Sequence, residues 1–131
     1  MTREEIRENT MQIIFQMDVA GEFDYEKLLP IEENRKTISK KQAINTLEAI
    51  RNNIDNIDKT IEKNIDNWTI DRIGKTDLAI LRNAVAEMLY LDEMPVAVSI
   101  NEAVNLAKKY GDDKSYAFVN SVLSKISKNL K

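Results

Sequence analysis

The sequence predicts an all-α protein of six to seven helices, arranged as two small helical bundles packed together. Three observations carry this. The 131 residues include only 3 Gly and 2 Pro, too few breakers for a sheet with many tight turns. Hydrophobic residues make up 43% of the chain, enough to bury a core. The apolar positions recur at helical spacing along most of the chain rather than alternating.

Thr2 with Glu5 forms a capping box, so the first helix is expected to begin at once. Ile6, Thr10, Ile13, Ile14 and Met17 share its buried face, and Gly21 ends it. Asp24 is placed to cap a short turn from Tyr25 to Leu29, which Pro30 stops. The polar stretch from Ile31 to Thr37 reads as a loop. Ser39 and Gln42 match a second capping box. Beyond it, Ala43, Leu47, Ile50, Ile54, Ile57, Ile61 and Ile65 make an a/d seam of three heptads. The seam fits one long helix or two joined near Asn52, Asn53 and Asn56. It serves an intramolecular bundle or, if left exposed, a stripe that pairs two copies into a homodimer and hides the RNA-binding face discussed below.

Trp68 to Gly74 marks a junction, and the next helix is expected from Lys75 or Thr76. Leu78, Leu81, Val85, Met88 and Leu89 form its stripe, widened by Ile80 and Ala84. Pro95 separates it from a helix whose first turn Ser99 and Glu102 are placed to cap, with Ala103, Leu106, Ala107 and Tyr110 on its buried face. Gly111 is expected as a C-cap with positive φ, and Asp112 or Asp113 as the cap of the last helix. That helix turns Phe118, Val119, Val122, Leu123, Ile126 and Leu130 inward. The whole reads as one domain over 1–131, with an N-terminal subbundle over 1–66 and a C-terminal one over 67–131.

Composition narrows the chemistry. Cys and His are both absent, which removes thiol nucleophiles, disulfides, histidine bases and the usual zinc ligand sets. Ser99, Ser115 and Ser121 therefore lack a histidine to activate them, and the Ser121–Lys125 spacing is what a lysine-rich helix produces by chance. Asp71, Asp77 and Glu87 stand in no metal-binding motif, and no glycine-rich phosphate loop is present. A binding protein without catalysis, metal or cofactor is expected. The N-terminus is acidic without a signal-peptide core, and no apolar run approaches the roughly 20 residues a membrane span needs. The cytoplasm is the expected compartment.

The net charge of −3 is unevenly spread. Residues 1–30 hold three basic and seven acidic residues, while residues 108–131 hold six lysines and two aspartates. The basic end suits a solvated helix C-terminus and also suits phosphate.

From Trp68 onward the pattern becomes specific. It runs Trp68-Thr69-Ile70-Asp71-Arg72-Ile73, then Asp77-Leu78-Ala79-Ile80-Leu81-Arg82, then Glu87-Met88-Leu89. Pro95 follows, then Ile100-Asn101-Glu102-Ala103-Val104 and Ala107-Lys108-Lys109-Tyr110-Gly111. Phe118-Val119-Asn120, Val122-Leu123 and Lys125 close it. This composite of about sixty residues resembles the NusB family of bacterial transcription antitermination factors. Arg7-Glu8, Gln12 and Phe15-Gln16 with Asp18 also look like that family's opening helix. The resemblance spans the chain, more weakly between residues 20 and 66.

The resemblance implies two small helical bundles that bind the boxA element of ribosomal RNA leaders beside NusE, a ribosomal protein. Together they would scaffold an antitermination complex on RNA polymerase. Carried over position by position, it implies Arg3, Arg7, Gln12, Tyr110, Lys114 and Asn120 for RNA, and Asp71 and Asp77 for NusE. Cations for phosphate, a ring for stacking and amides for base edges are what single-stranded RNA recognition requires.

Each residue also has a plainer reading. Asn101 and Asn120 would satisfy backbone groups at bundle ends, Tyr110 would close its helix, and Asp71 and Asp77 would be caps. Arg82 would pair with Glu87 or Glu102. Two departures stand out: Glu4 and Glu5 where many members carry arginines, and Ser121 where glycine is usual. The carboxylates repel phosphate and imply weaker intrinsic RNA affinity. The alternative is thus a helical protein-interaction module with little RNA affinity of its own. An accessory domain of RNA-modifying methyltransferases shares this fold, but with the chain ending at Lys131 it is the less expected relative.

Overall fold

Thr2 and Glu5 form the expected capping box in full. The computed structural model, which describes residues 1–66 and 69–130, has the Glu5 amide donating to Thr2 Oγ1 at 3.1 Å and the Thr2 amide to the Glu5 carboxylate at 3.2 Å. Helix α1 (Arg3–Ala20) starts there and ends at Gly21, whose φ of 74° opens the left-handed turn that favours glycine. Asp24 caps the expected short 3-10 turn, Tyr25–Leu28. Trp68 of the family pattern and the terminal Lys131 lie outside the described residues.

The expected loop from Ile31 to Thr37 is instead a helix, α2 (Glu32–Ile38). Its inward residues are Asn34, Thr37 and Ile38, so its buried face is mostly polar and leaves no apolar stripe. Glu32 and Glu33 in the first turn and Arg35 and Lys36 in the last suit its dipole. Ser39 is not an N-cap: it ends α2, donating from Oγ to the Lys36 carbonyl at 2.6 Å. Gln42 instead reaches back to the Arg3 carbonyl at 3.1 Å.

Helix α3 (Lys41–Lys63) carries the isoleucine seam as one helix kinked at Asn53 (φ −135°, ψ 22°). The Asn53 side chain donates to the Ala49 carbonyl at 2.9 Å, the local competition with helical bonding that asparagine introduces. Ala43, Leu47, Ile50, Ile57 and Ile61 are fully buried within the chain, and Ile54 packs against the same core. The seam therefore leaves no exposed isoleucine stripe for pairing two copies.

A 3-10 turn (Ile70–Arg72) leads into α4 (Lys75–Tyr90). Every residue from Leu78 to Glu87 is buried, because α4 packs against α1 and α3 and against the two helices that follow it. Those are α5 (Val96–Tyr110) and α6 (Ser115–Lys128). Among the described residues there are thus six α-helices and no strand, joined by one hydrophobic core.

Helix α5 begins directly after Pro95, so Ser99 lies inside it, buried, and is not a cap. Gly111 does not adopt positive φ; it is extended (φ −89°, ψ −173°). Its role is close approach, since a Cβ there would collide with the Ser115 side chain and meet the Ala107 carbonyl at 2.8 Å. Asp112 organises the turn before α6 rather than capping the helix itself, accepting from the Lys114 amide at 2.9 Å. Leu130 lies beyond α6 and is exposed, unlike the residues expected with it on the inward face.

Two arginines knit the helices together. Arg82 pairs with neither Glu87 nor Glu102. It binds Asp58 of α3 through two hydrogen bonds of 2.9 Å, lies 3.3 Å from Asp18 of α1, and stacks on Phe23 at 4.7 Å. Glu87 and Glu102 belong instead to Arg7.

Candidate nucleic-acid interface

The C-terminal end of α5 lies across the middle of α1, and the expected RNA residues divide there. Glu8, Gln12, Phe15 and Gln16 are three and four residues apart, so α1 presents them on neighbouring turns toward that end. Tyr110, the last residue of α5, meets them. Its hydroxyl donates to Glu8 Oε1 and accepts from Gln12 Nε2 at 3.4 Å. Lys109 Nζ donates to the same Glu8 oxygen at 2.6 Å and lies 5.3 Å from the Tyr110 ring centroid.

Beside this cluster runs an open groove of about 400 Å³, lined by Met11, Gln12, Phe15, Gln16, Thr76 and Tyr110. Apolar walls with amide and hydroxyl groups at the edges suit a flat ring that needs its rim hydrogen-bonded. Tyr110 is 39% exposed rather than on the buried face expected for it.

Electrostatics follow from the cluster. Burial pushes the Glu8 carboxyl up, but the hydrogen bonds from Lys109 and Tyr110 outweigh it and hold it below the usual carboxylate range. Tyr110 is raised by its own bond to Glu8 and by burial, and Lys109 by its own bond to Glu8, against burial. The Glu8 carboxylate and Lys109 ammonium are in contact, so this part of the surface carries little net field.

The other expected residues are scattered in character. Arg3 is exposed at the start of α1, Lys114 is exposed just before α6, and Asn120 is exposed on the second turn of α6. Asn101 and Asn120 are both exposed, and neither side chain bonds a backbone group among the described residues. Arg7 is only 6% exposed, with Nη2 at 2.7 Å and Nε at 3.2 Å from the two Glu87 oxygens. Its charge is spent inside the protein. Asp71 is exposed on the 3-10 turn before α4. Asp77 is half-buried and accepts from Ser115 Oγ at 3.1 Å, tying the starts of α4 and α6. Burial raises its carboxyl; the Ser115 bond opposes this and the Asp112 charge adds to it.

The sequence did not single out Lys109, Thr76 or the contact of Glu8 with Tyr110. The local signal was present in part: Glu8 and Gln12 are one helical turn apart. That Tyr110 would cover them, 102 residues along from Glu8, is a tertiary fact. A second exposed aromatic, Tyr116, sits under Lys108 Nζ at 5.4 Å, just past Lys114.

Fold and groove together define a helical binding protein built around one buried central helix. A sequence model of the NusB family matches residues 4–128, nearly the whole chain. The chain belongs to the NusB family. It is 41% identical to the transcription antitermination protein NusB of Clostridium tetani, over 99% of this chain and 100% of that one. With the Bacillus subtilis protein of the same name it shares 39%, over 99% and 98%. Among solved structures it is similar to T. maritima NusB, with a TM-score of 0.85, 30% identity, and 98% and 92% of the two chains covered. It is also similar to a chain in a structure of the antitermination factors NusB and NusE in complex with dsRNA, with a TM-score of 0.77, 31% identity, and 98% and 99% covered.

Proposed function

We propose that this protein is a non-catalytic transcription antitermination factor acting in the cytoplasm. It binds boxA-type RNA of ribosomal RNA leaders together with the ribosomal protein NusE and scaffolds an antitermination complex on RNA polymerase. The observation that carries the reading is full-length likeness, in sequence and in fold, to NusB proteins, one of them solved with NusE and RNA. The groove between α1, α4 and α5, with Gln12 and Tyr110 on its walls, supports an RNA face at this end. Arg3, Lys114 and Asn120 would extend it; Asp71 and Asp77 would face NusE, with 1–66 and 67–131 as subbundles of one domain. Among the described residues no helix is long and apolar enough to cross a membrane.

A specific observation also favours weak intrinsic RNA affinity. Glu4 and Glu5 are exposed on α1, Arg7 is buried against Glu87, and Lys109 is paired with Glu8. Few free cations remain at the groove, so binding would lean on the partner protein.

A labelled boxA-type RNA, titrated with the protein alone and with NusE at two salt concentrations, tests both readings. Tighter binding with NusE is expected, with a salt slope of about −0.7 per phosphate contact. Absence of RNA binding in both conditions would leave only a protein-interaction module.

A further inference from the structure

Tyr110 is an exposed ring that its neighbours nevertheless hold in place. Its hydroxyl is engaged twice from α1, by Glu8 as acceptor and Gln12 as donor, while its ring forms a wall of the groove. Glu8 is well placed for this, with a side chain only 19% exposed and Lys109 Nζ against the same oxygen at 2.6 Å. A stacking ring that is free to rotate must be ordered when a base arrives. Ordering one such side chain weakens binding by about three- to tenfold.

Resting on the RNA-binding reading, we infer that Glu8 is a positioning residue for RNA. It anchors the Tyr110 phenol so that the ring lines the groove before any base enters.

A carboxylate beside an RNA site would ordinarily repel phosphate. Here Lys109 offsets that charge at contact distance, so Glu8 orients Tyr110 without leaving a net negative field beside the groove. Glu4, exposed on α1 and in no ion pair among the described residues, has no such compensation. Two acidic residues one turn apart therefore act in opposite directions.

The test titrates a labelled single-stranded boxA-type RNA in the presence of NusE. The proteins are the unaltered chain, Glu8→Ala, Tyr110→Phe, their double variant and Glu8→Gln. Circular dichroism verifies the fold of each, and Tyr110→Phe removes only one surface hydroxyl. The expected result is a three- to tenfold loss for Glu8→Ala and for Tyr110→Phe, with no further loss in the double variant. Both Glu8 variants leave Lys109 unpaired, so they are compared with each other: Glu8→Gln, whose amide oxygen still accepts from the phenol, binds about three- to tenfold tighter than Glu8→Ala. Glu8→Ala binding as well as Glu8→Gln overturns the inference, and so do additive losses. If the unaltered chain itself fails to bind RNA, the RNA reading falls first and the inference with it.

Discussion

Arg7 and Glu87 face each other in the interior, the arginine Nη2 2.7 Å from one carboxylate oxygen and its Nε 3.2 Å from the other. Both side chains are more than nine-tenths buried, and the pair joins the second turn of α1 to the last turn of α4. Desolvating two charges offsets much of their attraction, so the pair is worth little as a unit; breaking it strands a buried charge. Arg7→Ala or Glu87→Ala is expected to cost about 3–5 kcal/mol in urea unfolding, and Arg7→Met with Glu87→Leu clearly less. The double variant should keep its RNA affinity and salt slope, because Arg7 has no free charge for phosphate. A salt slope reduced by about 0.7 in that variant would return Arg7 to the RNA face.

Gly111 is required by proximity. Gly111→Ala places a methyl against the Ser115 side chain and the Ala107 carbonyl, and overpacking of this kind costs about 1–3 kcal/mol. Adding Ser115→Gly should recover part of the loss in thermal unfolding. An unaffected Gly111→Ala protein would show that the α5–α6 turn gives way freely.

Asp77 carries a pH prediction. Burial first, opposed by the Ser115 hydrogen bond, raises its folded carboxyl above the unfolded value. A raised acid costs stability while it is charged, and that cost disappears as pH falls through the folded and then the unfolded value. Asp77→Asn, which still accepts from Ser115, should therefore gain most over the unaltered chain near neutrality. The advantage should shrink toward about pH 3.5. Unfolding curves at several pH values decide it; a gain that grows in acid contradicts the sign.

Glu4 and Glu5 separate charge from capping. Glu5 accepts from the Thr2 amide, which holds its carboxyl below the usual range, whereas Glu4 makes no such bond. Glu4→Arg is expected to tighten RNA binding several-fold at low salt and to steepen the salt slope by about 0.7. Glu5→Arg should tighten it less, because it also frays the start of α1, visible as faster amide exchange there. Equal affinities for all three proteins would remove this helix from the RNA face.

Local chemistry was legible in the sequence and distant chemistry was not. Thr2 with Glu5, Gly21 and the Asp24 cap act within a few residues and appear as expected. The same cap spacing at Ser39 and at Ser99 misled, because α3 begins after Lys40 and α5 directly after Pro95. Helix α2 leaves no apolar period in the sequence because Asn34 and Thr37 are buried polar residues. Asn34 is satisfied by Gln16 at 2.7 Å, a partner that no periodicity count reveals. The apolar stripe on α4, widened by Ile80 and Ala84, was legible; that α4 lies at the centre, buried from Leu78 to Glu87, was not. The residues facing Arg7 and Arg82 did not follow from it, although Arg7 lies one turn from buried Thr10 and Met11 and so already sat on the inward face.

Helix α4 has one more consequence. From Leu78 to Glu87 it has no side open to solvent, being covered by four other helices. No partial opening frees its amides while those neighbours remain docked, so their hydrogen exchange must await loss of the whole structure. Amides of α4 should be the slowest in the chain, at a rate that reports global stability directly. Whatever RNA or a partner protein adds on binding will then be readable at α4, far from either contact.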